Sequence, residues 1–191
     1  MIPEVEICET VLETSLDNTN PMVHPLPTIM NVNWSESGDK YKYYWEGIGP
    51  TMGTYIEEMD NERLEIGKTL GLEIGKNLFP LKLQYEIEYD AHGENLSEIV
   101  KKVKAYEDIY AAGTARSRYI YEDIPTALLP LAELGELLGV KTERMRFVIS
   151  LCEKMLGEDL TNMDSARTSE KLGLAGLDRE GVLKYAKLGI R

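Results

Sequence analysis

"PTMGTYIEEMDNERLEIGKTLG", residues 50–71, decides the fold because its apolar side chains recur at helical spacing and a glycine follows them. The apolar positions, at intervals of three, four or seven residues, are Met52, Ile56, Met59, Ile66 and Leu70. This spacing places them on one face of an α-helix. Gly71 is a natural end, since glycine readily adopts the left-handed conformation that closes helices. The stretch predicts one long amphipathic helix with one face buried.

The same pattern continues towards the C-terminus, where capping residues precede runs of helical period. Three stretches carry it: Asn95 opens "NLSEIVKKVKAYEDIY" (95–110), Asp123 and Pro125 introduce "DIPTALLPLAELGELLG" (123–139), and Thr142 caps "TERMRFVISLCEKML" (142–156). Asp178 caps a last helix that should end at Gly189. Pro130 should kink the second of these helices, because proline removes a backbone donor.

One segment departs from this periodicity. In "LKLQYEIEYD", residues 81–90, apolar and polar residues alternate with a period of two, which is typical of a strand. No second strand candidate is present to pair with it, so we expect an extended segment or a short helix. Together with the 191-residue length and 43% hydrophobic content, the pattern predicts one all-α domain of six or seven helices.

Composition and charge exclude several classes of function. The net charge is −12 and the isoelectric point about 4.7, whereas a phosphate backbone requires surplus Lys and Arg, so nucleic acid is not an expected partner. No stretch approaches the ~20 apolar residues that cross a bilayer. The acidic start "MIPEVEICET" lacks the features of a secretory signal, so we expect a cytoplasmic protein. Cys8 and Cys152 lie far apart, which indicates reduced thiols and no metal site.

His24 is the first candidate for chemistry. It lies in "NPMVHPLPTIMN" (20–31), between three prolines, and it is one of two histidines; His92, in a polar turn, we expect to be solvated. His24 could simply pack in the fold, or it could act as a general acid and base oriented by a carboxylate. Asn31, seven residues on, would share its face on a continuous helix and could line the same cleft. The prolines leave that continuity open.

A second candidate is "ARSRYIYEDIP", residues 115–125, where arginines and carboxylates are crowded before a proline. Asp123 could be a helix cap within a charged loop. Alternatively, Asp123 could align His24 while one of the arginines of this stretch binds a substrate carboxylate. Spacing alone does not decide between the two. The chain shows neither a glycine-rich nucleotide motif nor a nucleophile elbow, so any chemistry depends on His24 and its partners.

Four stretches, taken in order, resemble the helical C-terminal domain of octopine/nopaline-type opine dehydrogenases. They are "LDNTNPMVHPLPTIMN" (16–31), "YYWEGIGPTMGTYIEEMDNERLEIGKTLGL" (43–72), "RYIYEDIPTALLPLAELGELLGV" (118–140) and "RTSEKLGLAGLDREGVLKY" (167–185). The resemblance implies a fold similar to the C-terminal domain of 6-phosphogluconate dehydrogenase-like enzymes. It also implies an enzyme that joins the amino group of an amino acid to a 2-oxo acid and reduces the imine with NAD(P)H.

The family's functional residues match positions of this chain. Its histidine matches His24, its acidic partner Asp123 and its cleft arginine Arg118, so the resemblance implies proton transfer by His24, orientation by Asp123 and carboxylate binding by Arg118. In the family, NAD or NADP is bound by an N-terminal Rossmann domain, and the four stretches resemble only the half that follows that domain. We therefore expect residues 1–17 to be the junction after that domain and residues 18–191 to be the helical substrate-binding and catalytic domain.

Three arrangements remain open for this chain: an excised domain, a truncated product, or a subunit that meets a separate nucleotide-binding chain. The alternative to an enzyme is a non-catalytic helical module for dimerisation or ligand binding. Residues 1–16 and the tyrosine-rich segment 41–45 could cover or form an apolar docking surface, and a homodimer would then be expected. Asp60, Glu62 and Arg63 could be a solvated charged face or an ion-paired hinge to the missing domain.

Overall fold

The computed structural model describes residues 7–189, and the chain there is helical. The α-helices are α1 Val11–Asp17, α2 Asn20–Val23, α3 Pro25–Met30, α4 Val32–Glu36, α5 Pro50–Leu70, α6 Leu81–Tyr89, α7 Leu96–Val100, α8 Arg118–Tyr121, α9 Leu129–Leu137, α10 Glu143–Leu156 and α11 Arg179–Leu188. Two 3₁₀ turns, Lys104–Tyr106 and Leu160–Asn162, and a π-helical segment, Ile124–Leu128, complete them. Within these residues there are isolated bridges but no strand. The all-α prediction is confirmed.

Helix α5 forms the centre of the domain, and α1, α2, α6, α7, α9, α10 and α11 all contact it. Four residues of its apolar stripe are buried and Met52 is partly buried, and Gly71 ends the helix with a φ of 93°. Helix α9 approaches closely at Gly135, where an added Cβ would lie 2.4 Å from Thr142 and 3.0 Å from Ile66. A larger residue there would force α9 away from α5 and α10.

The alternating segment 81–90 is helical, so of its two predicted forms the structure has the short helix, α6. Leu81 and Tyr85, one helical turn apart, are buried, whereas Ile87 is 63% exposed. The alternation of apolar and polar residues therefore does not match the pattern of buried and exposed side chains. No neighbouring strand edge exists in the described chain to satisfy an extended backbone, so the helix is the form that closes its hydrogen bonds.

The predicted helix over 95–110 is wrong in its length. Asn95 caps α7 as expected, accepting from the Glu98 amide, but α7 ends at Val100. Val103 has an extended backbone, and a separate 3₁₀ turn carries Tyr106. The turn stacks Tyr106 on Tyr44 at a ring distance of 4.1 Å, which a continuous helix would not allow.

Pro130 was expected to kink a single helix over 123–139. The structure has a π-helical segment there, immediately before α9, and Pro130 lies in the first turn of α9. Proline cannot donate to the carbonyl four residues earlier, so the preceding turn is free to widen. Asp123 stands at the start of this segment, but its side chain makes no capping hydrogen bond there. Its carboxylate is therefore available for another partner.

The expectation of a solvated face at 60–63 is wrong. Arg63 is fully buried: its Nε donates to Asp60 at 2.7 Å, and its other nitrogens donate to the carbonyls of Leu16 and Phe79. Asp60 also accepts from the Leu81 amide. These contacts join α5 to the end of α1 and to the start of α6, so they stabilise the domain internally and leave no free donor nitrogen for a hinge.

Glu62 has a different structural role. Its two carboxylate oxygens accept from the backbone amides of Arg144 and Met145, at 2.8 and 3.1 Å, in the first turn of α10. These amides have no partner within their own helix, and a carboxylate also complements the positive end of the helix. Glu62 therefore attaches α10 to α5.

The tyrosines of segment 41–45 do not form a surface. Tyr41, Tyr43 and Tyr44 are 1%, 2% and 5% exposed, which excludes them from any exposed docking patch. Residues 1–6 of the expected junction lie outside the described residues, and α1 packs against α5 and α11. Across residues 7–189, no helix has the length and apolar character needed to cross a membrane.

Candidate active site

His24 stands where two short helices meet. It follows the last residue of α2 and precedes Pro25, the first residue of α3, so that the prolines divide the segment into separate turns. Proline is well suited to the first turn of a helix, where its missing N–H would have no partner. The backbone N–H of His24 donates to the Asn20 carbonyl and its carbonyl accepts from the Thr28 amide. These bonds hold the turn that carries the imidazole.

Asp123 contacts this imidazole. Its Oδ2 lies 2.6 Å from His24 Nδ1, and both side chains are less than a tenth exposed. An ionised carboxylate only accepts hydrogen bonds, so Nδ1 carries the proton and donates it to Asp123. The sequence indicated Asp123 as a possible partner of His24, and the structure places the two side chains in contact. The contact fixes the tautomer and leaves Nε2 as the nitrogen that can exchange a proton.

Tyr44 occupies the second ring nitrogen. Its hydroxyl lies 2.8 Å from His24 Nε2 and its ring is 5% exposed. Burial, with the nearby Tyr119, Tyr106 and Asp123 as further causes, raises the pKa of Tyr44 well above its ordinary value, so the hydroxyl keeps its proton. When the imidazole is neutral, this hydroxyl donates to Nε2.

Tyr119 covers the imidazole from the outside. Its ring stacks on that of His24 with centroids 4.0 Å apart and planes inclined by 17°. Tyr119 is half-buried, and burial raises its pKa while the adjacent Arg118 lowers it. His24 itself is only 5% exposed, so Tyr119 separates it from the surface of the domain.

Tyr43 supports the backbone at this point. Its hydroxyl donates to the His24 carbonyl at 2.6 Å and lies 2.8 Å from the Thr28 hydroxyl. Burial raises its pKa well above the ordinary value. The hydroxyl contacts neither ring nitrogen of His24, so its role is to hold the turn between α2 and α3.

Arg118 lies at the start of α8, beside Tyr119, with its guanidinium exposed. Its recorded ion pair is with Glu122, at 3.3 Å, and more than half of each side chain is exposed. An exposed pair of this kind contributes little and exchanges easily. The guanidinium is therefore available at the surface next to the buried pair.

Asn31 has a different environment from the one expected. Its side-chain amide donates to the carbonyls of Pro27 and Gly47, both at 2.9 Å. The chain leaves regular helical geometry at Asn31, so that the residue does not continue the face of His24. Its hydrogen bonds fasten the end of α3 to the segment before α5, which gives it a structural role.

A cavity of about 630 Å³ lies elsewhere, between α1, α9 and α11. Thr126 and Arg167 line it, but His24, Asp123, Tyr44 and Tyr119 do not. It is therefore separate from the imidazole site. In residues 7–189 no group of three acidic, histidine or cysteine side chains is arranged to hold a metal ion.

Sequence reasoning did not assign Tyr44 and Tyr119 to the site. Both tyrosines were visible, in "YKYYW" (41–45) and "RYIY" (118–121), but an aromatic residue gives no indication from sequence of which hydroxyl reaches an imidazole. Tyr41, Tyr43 and Tyr44 are core residues, and Tyr44 is also part of the site.

Residues 7–156 match the family described as NAD/NADP octopine/nopaline dehydrogenase, alpha-helical domain. The chain belongs to this family. The resemblance drawn from the sequence is thereby confirmed, and the chain is a member of an oxidoreductase family.

Two relatives agree with this assignment. An opine dehydrogenase of Arthrobacter sp. (strain 1C) is 36% identical over 182 residues, which is 95% of this chain and 49% of that protein. A vitopine synthase of Allorhizobium ampelinum is 30% identical over 161 residues, which is 83% of this chain and 43% of that protein. The chain thus spans about half the length of these relatives.

Solved structures share the fold. An octopine dehydrogenase with NADH and L-arginine superposes with a TM-score of 0.74 at 17% identity, covering 100% of this chain and 52% of that one. An octopine dehydrogenase in complex with NADH and agmatine gives 0.73 at 18% identity, covering 97% of this chain and 51% of that one. At these identities the likeness establishes the helical fold of the family.

Proposed function

We propose that this chain is the substrate-binding and catalytic half of an NAD(P)-dependent opine-type dehydrogenase, which joins an amino acid to a 2-oxo acid through a secondary amine. The observation that carries the proposal is the buried contact of 2.6 Å between His24 and Asp123, beside an exposed arginine. Family membership supports the reaction class.

The proposed chemistry needs a group that both takes and gives protons. Formation of a carbon–nitrogen double bond from an amine and a ketone removes two protons from nitrogen, and the carbonyl oxygen leaves with them as water. An imidazole can accept a proton from nitrogen and return it to oxygen. Asp123 stabilises the imidazolium between these transfers, because an opposite charge in contact favours the charged form.

The nicotinamide cofactor would supply the hydride that reduces the imine. A dinucleotide is held where a strand passes through a glycine-rich turn into a helix. Residues 7–189 contain no strand, so this part of the chain does not fit the role of a dinucleotide site. We propose that a Rossmann domain, either joined to this chain or on a separate subunit, holds NAD or NADP.

Arg118 is the proposed binding group for a substrate carboxylate. Both proposed substrates carry a carboxylate, and an arginine can bind this group through two parallel hydrogen bonds. The exposed pair with Glu122 is weak enough for a substrate carboxylate to replace it.

The test uses the chain joined to, or mixed with, a nucleotide-binding domain of the family. NAD(P)H oxidation should require both an amino acid and a 2-oxo acid, and mass spectrometry should detect the secondary amine. His24→Ala should abolish most of the turnover, whereas His92→Ala, which removes an exposed histidine, should not. Oxidation of NAD(P)H with the 2-oxo acid alone would indicate a simple hydroxy-acid dehydrogenase instead. The isolated chain should be inactive and should not bind NAD(P)H tightly.

We also propose a cytoplasmic location and a homodimer. Both cysteines are free, as expected in a reducing compartment. Exposed apolar side chains such as Met30 (57%) and Val11 (62%) could contribute to self-association. Light scattering over a wide concentration range tests the dimer, and a constant monomer mass would contradict it.

A further inference from the structure

The imidazole of His24 has no free nitrogen. Nδ1 lies 2.6 Å from Asp123 and Nε2 lies 2.8 Å from the Tyr44 hydroxyl. The ring of Tyr119 covers the imidazole face, and 6% of the His24 side chain is exposed. A substrate therefore cannot reach a ring nitrogen while these groups stay in place.

Tyr44 is held firmly in this position. Its ring stacks on Tyr106 at 4.1 Å and meets Tyr43 edge-on at 5.1 Å. Turning Tyr44 outwards would expose a buried aromatic ring and would leave Nε2 without its hydrogen bond. Both changes cost free energy, because apolar surface would return to water and a buried polar atom would lose its partner.

Tyr119 extends the contact towards the surface. Its ring stacks on the imidazole at 4.0 Å, and it lies near enough to Tyr44 for each tyrosine to affect the pKa of the other. Tyr119 is half-buried and directly follows the exposed Arg118. Hydrogen bonds thus connect the buried Asp123 carboxylate, His24 and Tyr44, and Tyr119 lies between this group and the solvent.

We propose that the hydroxyl groups of Tyr44 and Tyr119 carry the proton between His24 and the substrate. In the acid direction, Nε2 gives its proton to the Tyr44 oxygen while the Tyr44 hydroxyl proton passes to Tyr119, whose own proton goes to the substrate oxygen. Each hydroxyl gains one proton and loses one, so the net change is loss of one proton from the imidazolium. The inference rests on the proposed function, and it makes Tyr119 the group that contacts the substrate.

The path can be tested in the chain itself, without cofactor or substrate. Nitrogen-15 NMR of the protonated imidazole reports how fast its Nε2 proton exchanges with water, and a His92→Gln background leaves only the His24 signals. Tyr44→Phe removes the first hydroxyl of the path while retaining the ring. The exchange should become slower by about tenfold or more, because the proton loses the hydroxyl that relays it towards solvent. Tyr119→Phe should slow it as well.

A matched control removes a hydroxyl elsewhere. Tyr41 is 1% exposed, its hydroxyl contacts Ser35 at 3.1 Å, and no contact with His24 is recorded. Tyr41→Phe should leave the exchange rate unchanged. If Tyr44→Phe instead leaves the exchange unchanged or makes it faster, the hydroxyl only shields the ring and the path is overturned.

A second measurement uses the active protein with its nucleotide-binding domain. Tyr44→Phe should lower kcat by about 10²-fold with little change in KM, because proton transfer becomes limiting. It should also weaken the pH dependence of kcat, because the protonation of His24 is then no longer coupled to the substrate. An unchanged kcat and pH profile would overturn the path while leaving the proposed function intact. If the wild-type protein forms no secondary amine, the proposed function fails, and the exchange experiment still decides the path.

Discussion

The Asp123 carboxylate and the His24 imidazole meet at 2.6 Å, although 99 positions separate them in sequence. The contact joins the turn between α2 and α3 to the residue before the π-helical segment. The same carboxylate could have capped its own helix and does not. The pairing is therefore a product of the tertiary fold, and it can be tested without disturbing either segment.

Asp123→Asn should lower turnover by about 10²–10⁴-fold with little loss of stability. The amide has the same shape, but its NH₂ group can donate to Nδ1 and so favour the wrong tautomer of His24. Turnover is measured with the nucleotide-binding domain present, and stability by urea unfolding. Asp164→Asn is the matched control, because Asp164 is exposed and no side-chain partner is recorded for it among the described residues. Equal effects in both variants would contradict the assignment.

Arg118→Gln should raise KM for a carboxylate substrate by about 10–100-fold, the range that corresponds to one hydrogen bond with a charged group. Arg118→Lys should recover part of this loss, since the charge remains but the planar fork is gone. Arg116→Gln removes a nearby exposed arginine that pairs with Glu158, and it should not change KM. An unchanged KM in Arg118→Gln would show that the carboxylate binds elsewhere.

Arg63→Met should destabilise the domain by about 3–5 kcal/mol, because the buried Asp60 carboxylate would lose its charged partner. The double variant Asp60→Asn/Arg63→Met should lose less unfolding free energy than the two single variants lose together. Arg146→Met removes a surface pair with Glu136 and should cost about 1 kcal/mol or less. Urea unfolding measures all four. Additive single changes would mean that the two side chains act independently.

Glu62 should make stability depend on pH. Burial raises its pKa above the ordinary value, against the lowering effect of its bonds to the Arg144 and Met145 amides. Between the unfolded pKa of about 4.3 and the raised folded pKa, the folded state binds more protons, so this residue's contribution to stability improves as pH falls. Glu62→Gln removes the titration. The difference in unfolding free energy between wild type and Glu62→Gln should therefore move in favour of the wild type on acidification, and a difference independent of pH would contradict the shift.

The sequence predicted those elements that depend on local patterns. Helix α5 ends at Gly71 as predicted, and α10 begins directly after Thr142, although the Thr142 hydroxyl donates to the Ala132 carbonyl and does not cap the helix. The burial of Arg63 could not be predicted, because its acceptors are carbonyls of Leu16 and Phe79, which carry no sequence signature.

In the candidate site, too, the sequence predicted some residues and missed those that depend on tertiary contacts. Motif resemblance identified His24 and Asp123, because these residues stand in recognisable surroundings. The position of Tyr44 depends on the short 3₁₀ turn that brings Tyr106 against it, and the periodicity of 95–110 predicted a continuous helix there instead. A tertiary aromatic contact overrode the local pattern.

The attachment of α1 through Arg63 has a consequence for dynamics. The Leu16 carbonyl at the end of α1 is held by a fully buried guanidinium, and His24 follows eight residues later. Detaching α1 would leave one buried nitrogen of this guanidinium without its acceptor, so this helix should not open on its own. The amide hydrogens of α1 should exchange with solvent only when α5 unfolds, in one slow and cooperative step. The segment that carries His24 would then be as protected from exchange as the most stable part of the domain.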